Sequence, residues 1–361
     1  MKLQVTQENL SKALGSVARI ANSRSTLPIL SNVLLKTESN RLSIAATNLD
    51  IGITHYIGSK ITQNGSITVP ARLMQDFISN LPDSVLNLEV TDNKLKITTD
   101  KYQSTINGMP AEDFPVMPAI KGGNLWTVDA KDFKRTLQQV VLAASSDDAR
   151  PVLTGVYFHT RSGNVMAVAT DSYRLAQRKI GKSKEDINFL VPASAANDLL
   201  RIINDSDKEV AITHDEQQVL FQVGDVTLIA RLLEGNYPDY QKLIPGKFST
   251  TAAVKKSDFT NIAKISSLFA RESAGSITLK VEDAKVSINA VASQLGENTA
   301  TADAEVSGGG EVTLNSRYLI DALNSFGADE VEFCFNGKLE PCIIRSASEP
   351  NYLHLIMPLR S

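Results

Sequence analysis

One pattern occurs three times along the chain. Apolar residues stand at Met74, Phe77, Ile78 and Leu81, again at Ala196, Leu199, Leu200 and Ile203, and again at Leu319, Ala322, Leu323 and Phe326. Each set follows the i, i+3, i+4, i+7 spacing of an amphipathic helix with one buried face. The first members lie 122 and 123 residues apart, so one supersecondary design is copied along the chain. Each helix follows a short β-like run: Ser66 to Pro70, Asn188 to Pro192, and Glu311 to Asn315. Pro70 and Pro192 stand at the strand-to-helix junction, where a missing N–H does no harm. Asn315 is the predicted cap in the third copy.

A second helix precedes the first in each copy, marked by Leu10, Leu14, Val17 and Ala21, by Phe133, Leu137, Val141 and Ala144, and by Phe259, Ile262, Ser266 and Phe269. Alternating β-branched segments such as Arg41 to Ala45, Lys94 to Thr98, Val210 to Thr213 and Lys285 to Asn289 lie between turn residues and read as antiparallel strands with one wet face. The order strand, helix, three strands therefore runs six times. The fold class expected is α+β: three similar domains, each of two βαβββ units. Pro and Gly concentrate without periodicity at Pro115 to Gly123 and at Ile244 to Lys247, which sets the predicted domains at 1–121, 122–246 and 247–361.

Repeated domains place equivalent faces in a row, and a constant rotation between neighbours either closes a ring or runs on as a filament. Two such chains closed head to tail would carry twelve helices; at about 10 Å per helix the circle through their axes is about 38 Å across, with about 28 Å clear. Hydrated duplex DNA fits that hole. The chain carries a net charge of only -3, yet segments 6–24 and 255–273 each carry +2. Any attraction to nucleic acid must come from where the cations are placed. The expected inward set is Lys12, Arg19, Arg24, Arg72, Lys134, Arg135, Arg150, Arg201, Lys264, Arg271 and Arg317. Nothing looks like a base-reading helix or a zinc finger, so binding should be sequence-independent and salt-sensitive.

Other classes fare worse. No run of roughly 18 apolar residues suggests a membrane span, and the amino terminus has no apolar stretch with a small-residue cleavage site, so a cytoplasmic protein is expected. Cys334 and Cys342 could face each other across a short hairpin, but reduced thiols on an apolar surface are the simpler expectation. His55, His159, His214 and His354 are scattered singly on strand-like segments, without metal-ligand spacing. Asp147 and Asp148 are consecutive, and such pairs cap helices more often than they catalyse. Ser307 to Gly310 lacks the Lys-Ser/Thr of a phosphate loop and reads as a hairpin turn. Trp126 alone is no stacking platform. No cofactor is expected.

Several segments resemble the bacterial DNA polymerase III β sliding clamp family: Arg24-Ser25-Thr26-Leu27-Pro28-Ile29-Leu30, the run Val168-Ala169-Thr170-Asp171-Ser172-Tyr173-Arg174-Leu175-Ala176, Phe114-Pro115, Tyr237-Pro238-Asp239-Tyr240, and the ending Ile356-Met357-Pro358-Leu359-Arg360. The likeness spans the whole chain. It implies a homodimeric ring with helices inside and sheets outside that slides on duplex DNA as a processivity factor without catalysing anything. It implies, as partners, the replicative polymerase alpha subunit, the clamp loader delta subunit, translesion polymerases, mismatch-repair proteins and ligase, each docking a short peptide. By position the docking cleft would comprise Leu153, Thr170, Ser172, Tyr173, Arg174, Leu175, Pro238, Leu243, Leu339, Pro341, Leu355, Met357, Pro358, Leu359 and Arg360. Leu, Met and Pro there suit Leu or Phe anchors, Arg174 and Arg360 would meet the peptide's polar groups, and a free tail would leave the pocket exposed. Many relatives carry Gly-His where Ser172-Tyr173 stand, which would narrow the pocket. In the dimer surface the positions are Ser104 with Ile106 and Ser267 with Leu268, a smaller apolar pair than in some relatives. The competing reading is a repeated-domain peptide scaffold that never encircles DNA.

Overall fold

The computed structural model describes residues 1–21, 27–120, 122, 124–183, 186–294 and 296–360. The first repeat opens with β1 (Lys2–Thr6), α1 (Gln7–Val17), β2 (Asn32–Glu38), β3 (Arg41–Thr47) and β4 (Ile51–Gly58). After a short β5 (Lys60–Gln63) it continues with β6 (Ser66–Pro70), α2 (Ala71–Asn80), β7 (Val85–Thr91), β8 (Lys94–Thr98) and β9 (Gln103–Asn107). The second holds β10 (Asn124–Asp129), α3 (Ala130–Val140), β11 (Gly155–Arg161), β12 (Asn164–Thr170), β13 (Arg174–Lys182), β14 (Asn188–Pro192), α4 (Ala193–Ile202), β15 (Glu209–His214), β16 (Gln218–Val223) and β17 (Val226–Arg231). The third holds β18 (Thr250–Lys255), α5 (Lys256–Phe269), β19 (Ser276–Glu282), β20 (Lys285–Ala292), β21 (Gly296–Ser307), β22 (Gly310–Asn315), α6 (Ser316–Ser325), β23 (Glu330–Phe335), β24 (Cys342–Arg345) and β25 (Tyr352–Ile356). The βαβββ order expected from the sequence thus runs six times, with β5 as the one addition.

The strands form antiparallel sheets in the orders β5-β1-β7-β8-β9, β10-β15-β16-β17-β4-β3-β2-β6, and β14-β11-β12-β13-β25-β24-β23-β18-β21-β20-β19-β22. Two of these sheets join strands of different repeats: Leu228 of β17 pairs with Ile53 of β4, and Leu175 of β13 with Leu355 of β25. Contact density accordingly divides the chain into Met1–Phe133 with Asn197–Leu232, and Lys134–Ala196 with Leu233–Ser361.

The helices bury most of the residues their spacing selects, with Phe77, Leu200 and Phe269 left half-buried. In α1 these are Leu10, Ala13, Leu14 and Val17; Ala21 lies past its end. In α6 they include Leu319, Ala322 and Leu323, and the Asn315 carboxamide accepts from the Arg317 N–H at 2.9 Å and the Tyr318 N–H at 3.4 Å. That cap contributes about 1 kcal/mol. Ser266, the weak member of its pattern, is fully buried on α5 and receives a hydrogen bond from Asn298 Nδ2 of β21 at 2.9 Å.

Two expectations are corrected. Cys334 and Cys342 are free and wholly buried rather than at an apolar surface. Cys334 is paired with Ile343, so Cys342, one residue earlier, points to the opposite face of the sheet, because side chains alternate along a strand. Ser307 to Gly310 is no hairpin turn either: β21 pairs with β18 and β20, whereas β22 pairs with β19. The loop crosses over, and Gly308 takes a φ of 81°, where a Cβ would collide with the Ser249 carbonyl.

Candidate functional site

The second unit carries an apolar cluster of Met166, Val168, Leu175, Tyr240, Ile343 and Leu355, with Cys334 among them and Tyr237, Ile244, Phe248, Leu353 and Met357 partly buried around it. Alternation along β12, β13, β24 and β25 puts these side chains on one face. Leu175 and Leu355 are fully buried and Leu153 is 4% exposed, so these three form the floor beneath the cleft rather than its accessible wall. Leu243 and Leu339, at 43% and 64% exposed, are open to solvent. The pairing of Cys342 with Ile356 brings Pro341 level with Met357.

The turn between β12 and β13 shapes the adjoining groove. Thr170 Oγ1 donates to the Arg174 carbonyl at 2.6 Å, and Asp171 Oδ1 accepts from the Tyr173 and Arg174 N–H groups at 2.9 Å each. Ser172 sits at φ 77°, in the left-handed region that glycine adopts without strain. The same turn is built between β3 and β4: Thr47 Oγ1 donates to the Ile51 carbonyl at 3.0 Å, Asn48 Oδ1 accepts from the Ile51 N–H at 2.8 Å, and Leu49 takes φ 80°. Copy two replaces Asn48 by Asp171 and Ile51 by Arg174. The second oxygen of the carboxylate then holds the guanidinium, with Nε 3.0 Å from Asp171 Oδ2.

Arg174 is held further by Asp321 of α6, whose Oδ2 lies 2.8 Å from Nη1, and its guanidinium carbon lies 4.5 Å from the Tyr318 ring centre. Two carboxylates and a ring hold it, so Arg174 fastens β13 to α6 while still lining the groove. Asp321 and Tyr318 were missed in the sequence because an i, i+3 polar pair on a helix reads as a solvated face. The expectation of a free tail is corrected. Met357 N–H donates to the Tyr173 carbonyl and Leu359 N–H to the Thr313 carbonyl, both at 2.8 Å, so the tail is pinned, with Met357, Pro358 and Leu359 half-buried and Arg360 exposed. A groove of about 420 Å³ opens beside this turn, lined among others by Arg150, Leu153, Tyr173, Arg317 and Tyr318.

The expected cations divide. Lys12, Arg72 and Lys264 are exposed on α1, α2 and α5, and Arg19 and Arg271 are exposed just beyond α1 and α5. Arg201 is exposed on α4 and paired with Asp198 at 3.0 Å. Lys134 is half-buried on α3. Arg135 does not stand free: its Nη2 lies 3.0 Å from Glu349 Oε2, and that carboxylate also accepts from Gln139 Nε2 at 2.7 Å and the Gly327 N–H at 2.6 Å. Arg150 lies off the helices. Arg24 falls outside the described residues.

Of the four expected dimer positions, Ile106 is 6% exposed and packed in its own unit, whereas Leu268 is 51% exposed. Among the described residues no cluster of three or more His, Cys, Asp or Glu could hold a metal ion. No described helix is long and apolar enough to cross a membrane. The histidines are strand residues with local partners; His159 Nε2, for one, lies 2.9 Å from the Tyr240 hydroxyl. Asp147 turns its Oδ1 to the Ala149 N–H at 2.9 Å.

Comparison with known proteins agrees with this architecture. The family models for the N-terminal, central and C-terminal domains of the DNA polymerase III beta subunit match residues 1–118, 127–239 and 241–360. The beta sliding clamps of Staphylococcus epidermidis and Staphylococcus aureus are 29% and 28% identical over 375 residues, covering both chains fully. The crystal structure of the Bacillus subtilis sliding clamp superposes with a TM-score of 0.95 at 28% identity, covering 100% of this chain and 99% of that one. A Pseudomonas aeruginosa sliding clamp bound to griselimycin does so with a TM-score of 0.95 at 26% identity, both chains fully covered. The chain therefore belongs to the DNA polymerase III beta subunit family, the sliding clamps, which act in DNA replication as processivity factors without catalysis of their own.

Proposed function

We propose that two copies of this chain close head to tail into a ring around duplex DNA, and that replication proteins dock short peptides in the cleft beside β13 and β25. The observation that carries the ring is a pair of unpaired strand flanks. β9 ends its sheet, and residues 296–303 of β21 pair with β20 on one side only among the described residues. Open edges of this length invite a further strand. An edge at β9 in the first repeat and a flank of β21 in the third could pair with each other between two copies, which suits a two-membered closed assembly.

The DNA-facing set in this reading is Lys12, Arg19, Arg72, Arg201, Lys264 and Arg271, exposed on or beside helices and contacting phosphates without reading bases. The three repeats, 1–121, 122–246 and 247–361, act as domains, and the cytoplasm is the compartment. The docking partners are the polymerase alpha subunit, the clamp loader delta subunit, translesion polymerases, mismatch-repair proteins and ligase. The apolar cluster under Met357 and the bound ligand of the Pseudomonas relative support a site of this kind.

Light scattering should give twice the 39.2 kDa chain mass. The protein, once loaded, should be retained on circular duplex and lost when the circle is cut. A monomer at every concentration would favour the scaffold reading instead.

A further inference from the structure

The turn between β3 and β4 copies the one beside the cleft, and the strands around it repeat as well. Thr47 pairs with Gly52 as Thr170 pairs with Leu175, so Gly52 stands in the place of Leu175. Ile229 of β17 pairs with Gly52 as Leu355 of β25 pairs with Leu175, and two residues on, Arg231 stands in the place of Met357. The backbone agrees: the Arg231 N–H donates to the Asp50 carbonyl at 2.8 Å, as the Met357 N–H does to the Tyr173 carbonyl. In the same unit Ile29, Leu30 and Phe114 form a buried apolar cluster, with Leu34, Met109 and Met117 partly buried against it.

This copy is closed rather than absent. A Cβ on Gly52 would lie 2.5 Å from Met117 Cε and 3.3 Å from Ile229 Cγ2, so the Met117 side chain fills the space that the missing side chain leaves. An unbranched thioether is an easily displaced apolar plug, because it repacks by rotation about its own bonds. Apolar side chains also stand in water nearby: Val116, the residue before Met117, is 94% exposed, and Leu49 at the tip of the turn is 49% exposed. Leu49 is held there at φ 80°, in the left-handed region that a leucine enters only against steric resistance. The charge around them is acidic. Asp50, Glu112 and Asp113 are exposed and pair with no cation among the described residues, against the guanidinium of Arg231.

We propose that this first-repeat copy is a second docking site, opened when Met117 swings off Gly52, and that its occupant is a short extended segment with a Leu or Phe anchor flanked by Lys or Arg. The inference takes from the docking reading above only that such a cleft accepts an extended segment. The apolar anchor follows from the floor of Ile29, Leu30 and Phe114, which gains most from burying apolar area. The basic flank follows from the three carboxylates, which repel an acidic segment and attract a basic one. Exposed ion pairs each contribute modestly, so a pair of them should favour the basic segment about fivefold.

The test follows isotope-labelled methionine methyl groups of the full-length protein by NMR. Met117 reports this site, and Met166 and Met357 report the cleft of the second unit. Two short peptides with the same Leu and Phe anchors are titrated, one flanked by Lys and the other by Glu. The Lys peptide should move the Met117 resonance saturably and about fivefold more tightly than the Glu peptide, whatever either does at Met357. Asp50→Lys/Asp113→Lys should reverse that order at Met117 and leave the Met357 response as it was, which also shows that the variant is folded. A Met117 resonance that stays still while Met357 responds to saturation overturns the second site and leaves the docking reading standing. An equal Met117 response to both peptides, or an order that survives the charge reversal, overturns the basic preference. If no methyl group moves with either peptide, the docking reading and this one fall together.

Discussion

His354 on β25 has no room for a charge. It is fully buried, with Nδ1 3.1 Å from the Tyr352 hydroxyl. That hydroxyl donates to the Gln139 carbonyl at 3.1 Å, so the ring donates through Nδ1, and Nε2 is left as a buried acceptor without a partner. Burial, with Arg174 adding to it, lowers the pKa of His354 from 6.5 to about 3. His55 is lowered to about 4 by burial first and by Lys12 second. Both folded values lie below the unfolded one, so below pH 6.5 the unfolded chain takes up protons that the folded chain refuses. Stability from these two sites is therefore complete above pH 6.5 and declines as the pH falls towards 4 and then 3. The urea midpoint should drop across that window. In an NMR titration the His354 ring should still be neutral at about pH 5; a protonated ring there would refute the assignment.

At the scale of elements, the contact between β13 and α6 holds the cleft's frame. Arg174 and Asp321 are 11% and 34% exposed at their side chains, enough shielding for a charge-assisted pair to be worth more than a surface one. A double-mutant cycle on Arg174→Ala and Asp321→Ala should give a coupling energy of about 1–2 kcal/mol. A coupling near zero would mean that Asp171 alone sets the guanidinium. Much of this level was legible in the sequence, because Leu319, Ala322 and Leu323 must share a face and Asn315 is a good cap before them. β5 was not legible, since its four residues are largely exposed and show no alternation. The crossover at Gly308 was hidden because a Gly-rich run looks the same whether its strands pair or part. At the site, spacing could not separate the cleft's floor from its wall: Leu175 and Leu355 are paired across strands and sealed beneath Met357, a fact of tertiary packing. The pairing of Arg174 with Asp321 was equally invisible, since the two are 147 residues apart.

For the whole molecule, the question is what would hold two copies together. Ile106 is 6% exposed and so offers little side chain to a partner, which in the proposed ring would leave that edge to the backbone of β9. On the other edge, Ile265 and Leu268 of α5 are 49% and 51% exposed. They stand beside β21, to which α5 is tied by Asn298 and Ser266. Exposed apolar side chains next to an open strand flank fit an interface of strand pairing covered by a hydrophobic contact. Replacing Leu268 by Asp puts a charge into that contact and removes its apolar area, which together should weaken association by about 3 kcal/mol or more, over a hundredfold in dissociation constant. Leu268 is half in water already, so the fold itself should tolerate the change, and an unaltered urea midpoint provides the control. The expected outcome is a shift of the light-scattering mass towards 39.2 kDa and loss of retention on circular duplex, with peptide binding in the cleft kept. If Leu268→Asp remains dimeric while a proline in β9 disrupts the dimer, strand pairing alone carries the closure and the α5 contact is incidental.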